Sequence, residues 1–148
     1  MKIFELRTLL TVTTGRLLTK GNGPRDNGIG NLYEVLGWMT NDSPMTHQLG
    51  RFSEECKPWL LRWFPELAEA EKHLAELDRA IECVKAAGKP LDHAIDNWIS
   101  LCVADWGMER QYDVDRIPAD DHDAKNAYDE LVAMRGTDEG IVVVSVRE

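Results

Sequence analysis

The stretch PELAEAEKHLAELDRAIECVKAAGKPLDHAIDNWISLCV, residues 65–103, decides the fold class of this chain. Its first part places apolar or small residues at Leu67, Ala70, Leu74, Leu77, Ile81 and Val84, in steps of three and four that draw one stripe along a helix from Pro65 to Ala87. Gly88 stands where a left-handed C-cap ends such a helix. After Lys89 and Pro90 a second stripe runs through Leu91, Ile95, Trp98, Ile99, Cys102 and Val103. A connection this short makes the two helices antiparallel neighbours, so the expected framework is a helical hairpin.

Toward the N-terminus, Phe4 and Leu6 alternate while Leu6, Leu9 and Leu10 also share a helix face; the reading adopted is an opening strand followed by a helical turn. Residues 19–30 hold Gly21, Gly23, Gly28, Gly30 and Pro24 and read as a flexible loop. Asn31 is placed to cap a helix bearing Leu32, Val35, Leu36 and Met39, and Asp42, Ser43 and Pro44 to open another that runs to about Cys56. Pro58 then restarts the chain into the apolar piece Trp59–Phe64.

Toward the C-terminus, Gly107–Ala119 reads as irregular with a short extended piece at Tyr112–Ile117. Asp120 or Asp121 caps a further helix bearing Ala124, Tyr128, Leu131 and Met134, and the β-branched run Ile141–Val146 is a strand. So apolar a strand needs a partner, and the opening segment around Ile3–Leu6 is the expected one. The fold expected is α+β and predominantly helical, one domain over residues 1–148, with the helical hairpin and a small sheet joining the N-terminal segment to the valine-rich strand.

With 43% hydrophobic and 29% charged residues the chain has the composition of a globular protein. No apolar run approaches the roughly 18–20 residues that span a bilayer, and Met1–Glu5 lacks the pattern of a signal peptide, so a cytosolic location is expected. Cys56, Cys83 and Cys102 form no CxxC pair and fit reduced, buried thiols. Trp38, Trp59, Trp63, Trp98 and Trp106 are read as core, the alternative being an exposed patch through which copies assemble.

Charge is divided unevenly. Residues 1–64 carry eight Lys or Arg against six Asp or Glu, and residues 65–148 nine against twenty, for a net −9 overall. Such a molecule repels nucleic acid and anionic membrane and is drawn to cationic surfaces. Between Asp105 and Asp123 the acids Asp105, Glu109, Asp113, Asp115, Asp120, Asp121 and Asp123 face only Arg110 and Arg116. On backbone read as exposed, they form either a solvated loop that aids solubility or a surface that offers carboxylates to Lys and Arg as phosphates would.

Sites for chemistry are weakly marked. The glycines before Asn31 lack the Walker spacing that cradles phosphate. His47, His73, His93 and His122 have no metal-ligand spacing with the cysteines, and no nucleophile elbow is present, so neither a metal nor an organic cofactor is expected. Glu66 and Glu69, with Asp92 and Asp96 on the adjacent helix, are the one layout that would suit Mg²⁺ in a nucleotide hydrolase, but Leu74, Leu77, Ile95 and Trp98 occupy the surface between them.

Two phrases, TVTTGRLLT at Thr11–Thr19 and NLYEVLGWMTNDSPMTHQL at Asn31–Leu49, resemble the start of a family of small phage and prophage proteins without an assigned activity. The succession of a Trp98-bearing helix, Gly107, an extended segment, a helix and a valine-rich strand is similar to the ending of that family. The linker Asp113–Asp123 is more acidic, and the loop Lys20–Gly30 longer, than the family pattern implies. The resemblance carries over no catalytic residue. It implies an accessory factor that works by binding, similar in kind to anti-CRISPR proteins: an inhibitor of a host nucleic-acid-targeting defence complex. Its acidic surface would cover the basic site of a protein or ribonucleoprotein, without direct contact to nucleic acid or membrane. A metal-dependent nucleotide hydrolase and a phage assembly protein are the alternatives.

Overall fold

The computed structural model describes residues 1–20, 28–124, 128 and 130–132. The chain opens with strand β1 (Lys2–Glu5) and passes directly into helix α1 (Leu6–Thr14). Then follow α2 (Ile29–Thr40), α3 (Leu49–Trp63), α4 (Leu74–Ala86), α5 (Leu91–Asp105) and strand β2 (Gln111–Val114), with short 3-10 segments at Thr46–Gln48, Pro65–His73 and Ala119–Asp121. The architecture is the expected helical α+β arrangement: α4 packs on α5 as the hairpin, and β1 pairs antiparallel with β2, Phe4 opposite Tyr112 and Ile3 opposite Asp113.

Helix α1 is the centre, and all nine of its residues are buried. Four threonines in LRTLLTVTT make it a poor helix by propensity, yet burial prevents their hydroxyls from bonding water. Instead Thr11 donates to the Arg7 carbonyl at 2.8 Å and Thr14 to the Leu10 carbonyl at 2.6 Å, so the polar groups are absorbed by the helix itself. Around α1 lie α2, α3 and the 3-10 segment Pro65–His73. They contribute the fully buried Val35, Leu36, Met39, Phe52, Cys56, Leu60, Leu67 and Ala70.

Several boundaries differ from the sequence reading, each for a local reason. Helix α2 begins at Ile29, and Asn31 lies inside it; Gly28 precedes it at φ 81°, where a Cβ would stand 2.6 Å from the Thr19 backbone, so the close approach of Thr19 selects glycine. Asp42 opens no helix, because its carboxylate accepts from the Ser43 amide at 2.7 Å and from His122 at 2.8 Å. The next helix starts at Leu49 and runs through Pro58 to Trp63, where a restart was expected. Proline there costs one backbone hydrogen bond, but Phe52, Cys56 and Leu60, spaced by four residues on either side of it, are buried against the core and hold the helix together.

The expected helix Pro65–Ala87 divides at His73 into a 3-10 half and an α half. Leu67 and Ala70 are three apart, which superimposes them in a 3-10 helix, and a stripe of threes and fours does not separate the two windings over so few turns. Gly88, at φ 69°, follows α4 as the left-handed residue expected. Cys83 is exposed, contrary to the expectation of three buried thiols; it lies on α4, whose only fully buried side chain is Leu77. Burial does push the Cys56 and Cys102 thiols up to about 12, leaving both inert. Trp98 is buried, as expected of a core residue, and Trp38, Trp59, Trp63 and Trp106 are partly buried.

The sheet partner of the opening strand among the described residues is the extended piece Gln111–Val114. The valine-rich run Ile141–Val146, to which the sequence reading gave that role, lies outside the described residues, as do residues 21–27 of the glycine-rich loop and most of the helix expected after Asp121.

Truncating a side chain of α1 leaves a void enclosed by three elements. Leu10→Ala is expected to lower the unfolding free energy by about 2–5 kcal/mol in urea titration, while Leu101→Ala, on the exposed face of α5, changes it by less than about 0.5 kcal/mol.

Candidate functional site

All seven acids singled out between Asp105 and Asp123 are exposed, and each is carried by backbone that packing holds in place. Asp105 is the last residue of α5. Glu109 follows the turn at Gly107, its amide donating to the Tyr112 hydroxyl at 2.8 Å while that hydroxyl donates to Glu66 at 3.0 Å. Burial, with Glu66 adding to it, pushes the Tyr112 phenol up to about 12, so the hydroxyl stays a donor at all ordinary pH.

Along β2 the pleat turns Tyr112 and Val114 inward and Asp113 outward, and Asp115 continues the outward row. Val114 is pinned by the Trp38 indole, which donates to its carbonyl at 2.9 Å, and Arg116 lies 4.2 Å from the Trp38 ring. The Ile117 amide donates to the Met39 carbonyl at 2.9 Å, after which the 3-10 turn Ala119–Asp121 displays Asp120 and Asp121. Among the described residues Asp105, Glu109, Asp113, Asp115, Asp120 and Asp121 enter no salt bridge, whereas acids such as Glu34, Asp78, Asp92, Asp96, Glu55 and Glu130 do. The result is an acidic ledge running from the end of α5 along the outer side of β2 to the 3-10 turn.

The carboxylates considered for metal chemistry do not converge. Glu66 is bonded to Tyr112, and Glu69 to Lys72 at 3.1 Å. Asp92 and Asp96 both turn to Arg7, at 3.6 Å for Asp92. Among the described residues no group of three or more His, Cys, Asp or Glu side chains is arranged to hold a metal ion. A cleft of about 790 Å³ opens beside Arg7, with Glu5, Asp96, Glu109 and Arg110 on its walls, but Arg7 is already engaged by the two aspartates.

Sequence reasoning missed a buried ionic network behind the far end of the ledge. Arg51 on α3 grips both carboxylate oxygens of Glu130 at 2.6 and 2.7 Å, reaches Glu55 at 2.8 Å and bonds the Asp123 carbonyl at 2.5 Å. Gln48 donates to Glu130 at 2.9 Å. His122 places Nδ1 at 2.5 Å from Glu55 and Nε2 at 2.8 Å from Asp42, its ring edge-on to Phe52. Both ring nitrogens are thus within hydrogen-bonding distance of a carboxylate oxygen. Only the Arg51–Glu55 spacing of four was visible in the sequence. The other pairs join residues 67 to 82 positions apart, which no local pattern announces.

The Arg51 guanidinium holds the Glu130 carboxyl down at about 2, and the Asp42 carboxyl is lowered first by its hydrogen bond with His122. For His122 burial opposes the charged ring, but the bonds to Asp42 and Glu55 together outweigh it and the net direction is upward.

Residues 4–70 match a family described as a domain of unknown function, DUF7736, which spans β1, α1, α2, α3 and the first part of the 3-10 segment. The matched part contains the enclosing core and Arg51; the ledge lies beyond it. No curated protein and no solved structure matches the chain. No helix among the described residues is long and apolar enough to cross a membrane.

Glu130 titrates near 2 when folded against about 4.5 for an ordinary glutamate, so its contribution to stability is complete above about pH 4.5 and is lost as the pH falls toward 2. Denaturant titrations across that window should show Glu130→Gln less stable than the native chain at pH 6 and the difference shrinking toward pH 2.

Proposed function

We propose that this protein acts by binding rather than by catalysis, using the ledge Asp105, Glu109, Asp113, Asp115, Asp120, Asp121 and Asp123 to occupy the basic site of a nucleic-acid-handling protein or ribonucleoprotein. The observation that carries the reading is the combination of exposure, absence of salt-bridge partners among the described residues for six of these acids, and support by packed backbone. A solvated loop that merely aids solubility needs no such support. Carboxylates on backbone that is already held in place cost less backbone entropy on meeting Lys or Arg, and charge-assisted hydrogen bonds of this kind are among the stronger polar contacts.

Asp113 and Asp115 sit two residues apart on extended backbone, about 7 Å along the chain. The net charge of −9 keeps the chain itself from binding nucleic acid and speeds its approach to a cationic cleft. The resemblance of Thr11–Thr19 and Asn31–Leu49 to phage and prophage proteins supports a host defence complex in the cytosol as the target class, and inhibition by occlusion as the outcome.

The test is affinity capture from a bacterial lysate that contains nucleic-acid-targeting defence complexes. The native protein should retain a nucleic-acid-binding partner that is released both by added duplex and by salt. A variant carrying Asp113→Lys, Asp115→Lys, Asp120→Lys and Asp121→Lys should lose that partner with its urea midpoint nearly unchanged, because all four side chains are exposed. Equal retention by the variant at the same salt would sink the proposal.

A further inference from the structure

The network around His122 does more than join helices. His122 has a side chain only 6% exposed, and each of its ring nitrogens faces a carboxylate oxygen, Glu55 at 2.5 Å and Asp42 at 2.8 Å. Both oxygens are acceptors, whereas a neutral imidazole has one N–H to give. The two contacts are satisfied together only by the imidazolium. Removal of one proton would set a ring lone pair against a carboxylate inside a packed site, at a distance where it repels.

We propose that the segment from Ile117 to Ala124 is a strap fastened by a proton on His122, closed while the ring is doubly protonated and loosened when that proton passes to solvent. The groups that face the ring come from three directions. From the end of α2 and its following turn comes Asp42; from α3 come Glu55, Arg51 and the Phe52 ring at 4.8 Å. Arg116, on the approach to the strap, lines the same cleft as Asp42 and His122, while Asp121 and Asp123 flank the ring in sequence. Glu130 reaches the group through Arg51, which it shares with Glu55.

In the closed state three carboxylates, Asp42, Glu55 and Glu130, share two cations, Arg51 and the imidazolium, which leaves the group one negative charge in excess. Arg51 is already divided between Glu55 and Glu130, so loss of the ring proton leaves Asp42 without a hydrogen-bonded cation.

The two mutual bonds to Asp42 and Glu55 favour the charged ring more than burial opposes it, and the proton is held above the ordinary value of 6.5. The fastening is therefore complete below about pH 6.5 and is lost as the pH rises through the folded value. At the acid end it fails again, when Asp42 takes up a proton. Upstream of the strap β2 does not depend on the ring, being held by its pairing with β1 and by Trp38. Loosening is thus local. Because Asp120, Asp121 and Asp123 ride on the strap, it also sets how the far end of the ledge is presented; that consequence rests on the binding reading above, and the strap itself does not.

Two measurements on the full chain test the strap without any partner. Imidazole ¹⁵N spectra should show His122 with both nitrogens protonated at about pH 6 and a midpoint above the ordinary histidine value. Amide exchange, corrected for its intrinsic pH dependence, should show the Asp121, His122 and Asp123 amides losing protection by about tenfold or more between about pH 6 and pH 9, while the α1 amides keep theirs. Asp42→Asn should lower the His122 midpoint. His122→Gln should give an equally folded chain, by α1 protection, whose strap is as open at pH 6 as the native strap is at pH 9. A neutral His122 with one N–H at pH 6, or strap protection that follows the intrinsic rate alone, would overturn the proposal; failed capture of a defence complex would not bear on it.

Discussion

A helix of nine residues with no exposed side imposes the demand that organises the rest of the molecule. Helix α1 cannot stand at a surface, because Leu6, Leu9, Leu10 and Val12 on one side are each at most 3% exposed and Arg7 and the threonines that complete its circumference are buried too. It has to be walled in by α2, α3 and the 3-10 segment, and those walls in turn dictate where the later elements lie. Even Thr11 and Thr14, which weaken α1 as an isolated helix, conform, since their hydroxyls return to carbonyls of the preceding turn. The strand β1 leads into it without a linker, which places the β1–β2 ribbon, and with it the acidic ledge, at the N-terminal end of the central helix.

Enclosure has an electrostatic cost at Arg7, which belongs to α1 and is 8% exposed. Its charge is met by Asp96 and Asp92 from α5, and it donates to the Leu18 carbonyl at 3.3 Å. The hairpin α4–α5 is thereby tied to the core through ions as well as through Ile95, Trp98, Ile99 and Cys102. The pair is only half-buried, Arg7 enclosed and the two aspartate side chains exposed, so it adds little net stability, but removing both aspartates would leave an enclosed guanidinium without its counter-charge. It therefore acts as a registration point. The Arg51–Glu130 and His122 contacts use ions in the same way, fastening the segment after β2 to α3.

Two groups of acids in the molecule have different physics. Those facing Arg7, Arg16, Arg51, Lys57 and His122 are consumed by intramolecular pairing. The exposed row from Asp105 to Asp121 is left uncompensated by salt bridges among the described residues, which is the condition for a surface that meets a cationic partner. The proton on His122 links the two groups, because the strap that carries Asp120 and Asp121 is closed by the paired group.

What was readable from residues alone followed from short-range periodicity and charge. The hairpin from Leu74 to Asp105, the left-handed Gly88, the opening strand and the exposure of the ledge all rest on signals within a few residues of one another. Continuous passage through Pro58, the 3-10 winding of Pro65–His73 and the start of the third helix at Leu49 were decided by contacts with distant elements, which outweigh local preference when they bury side chains such as Phe52 and Leu67. The same holds for the charged groups. A sequence shows that Asp42, Glu55, His122 and Glu130 exist, but a salt bridge forms at a separation of a few ångströms in space. Only the packing of α2, α3 and the segment after β2 brought those four together, because their positions in the chain carry no record of that proximity.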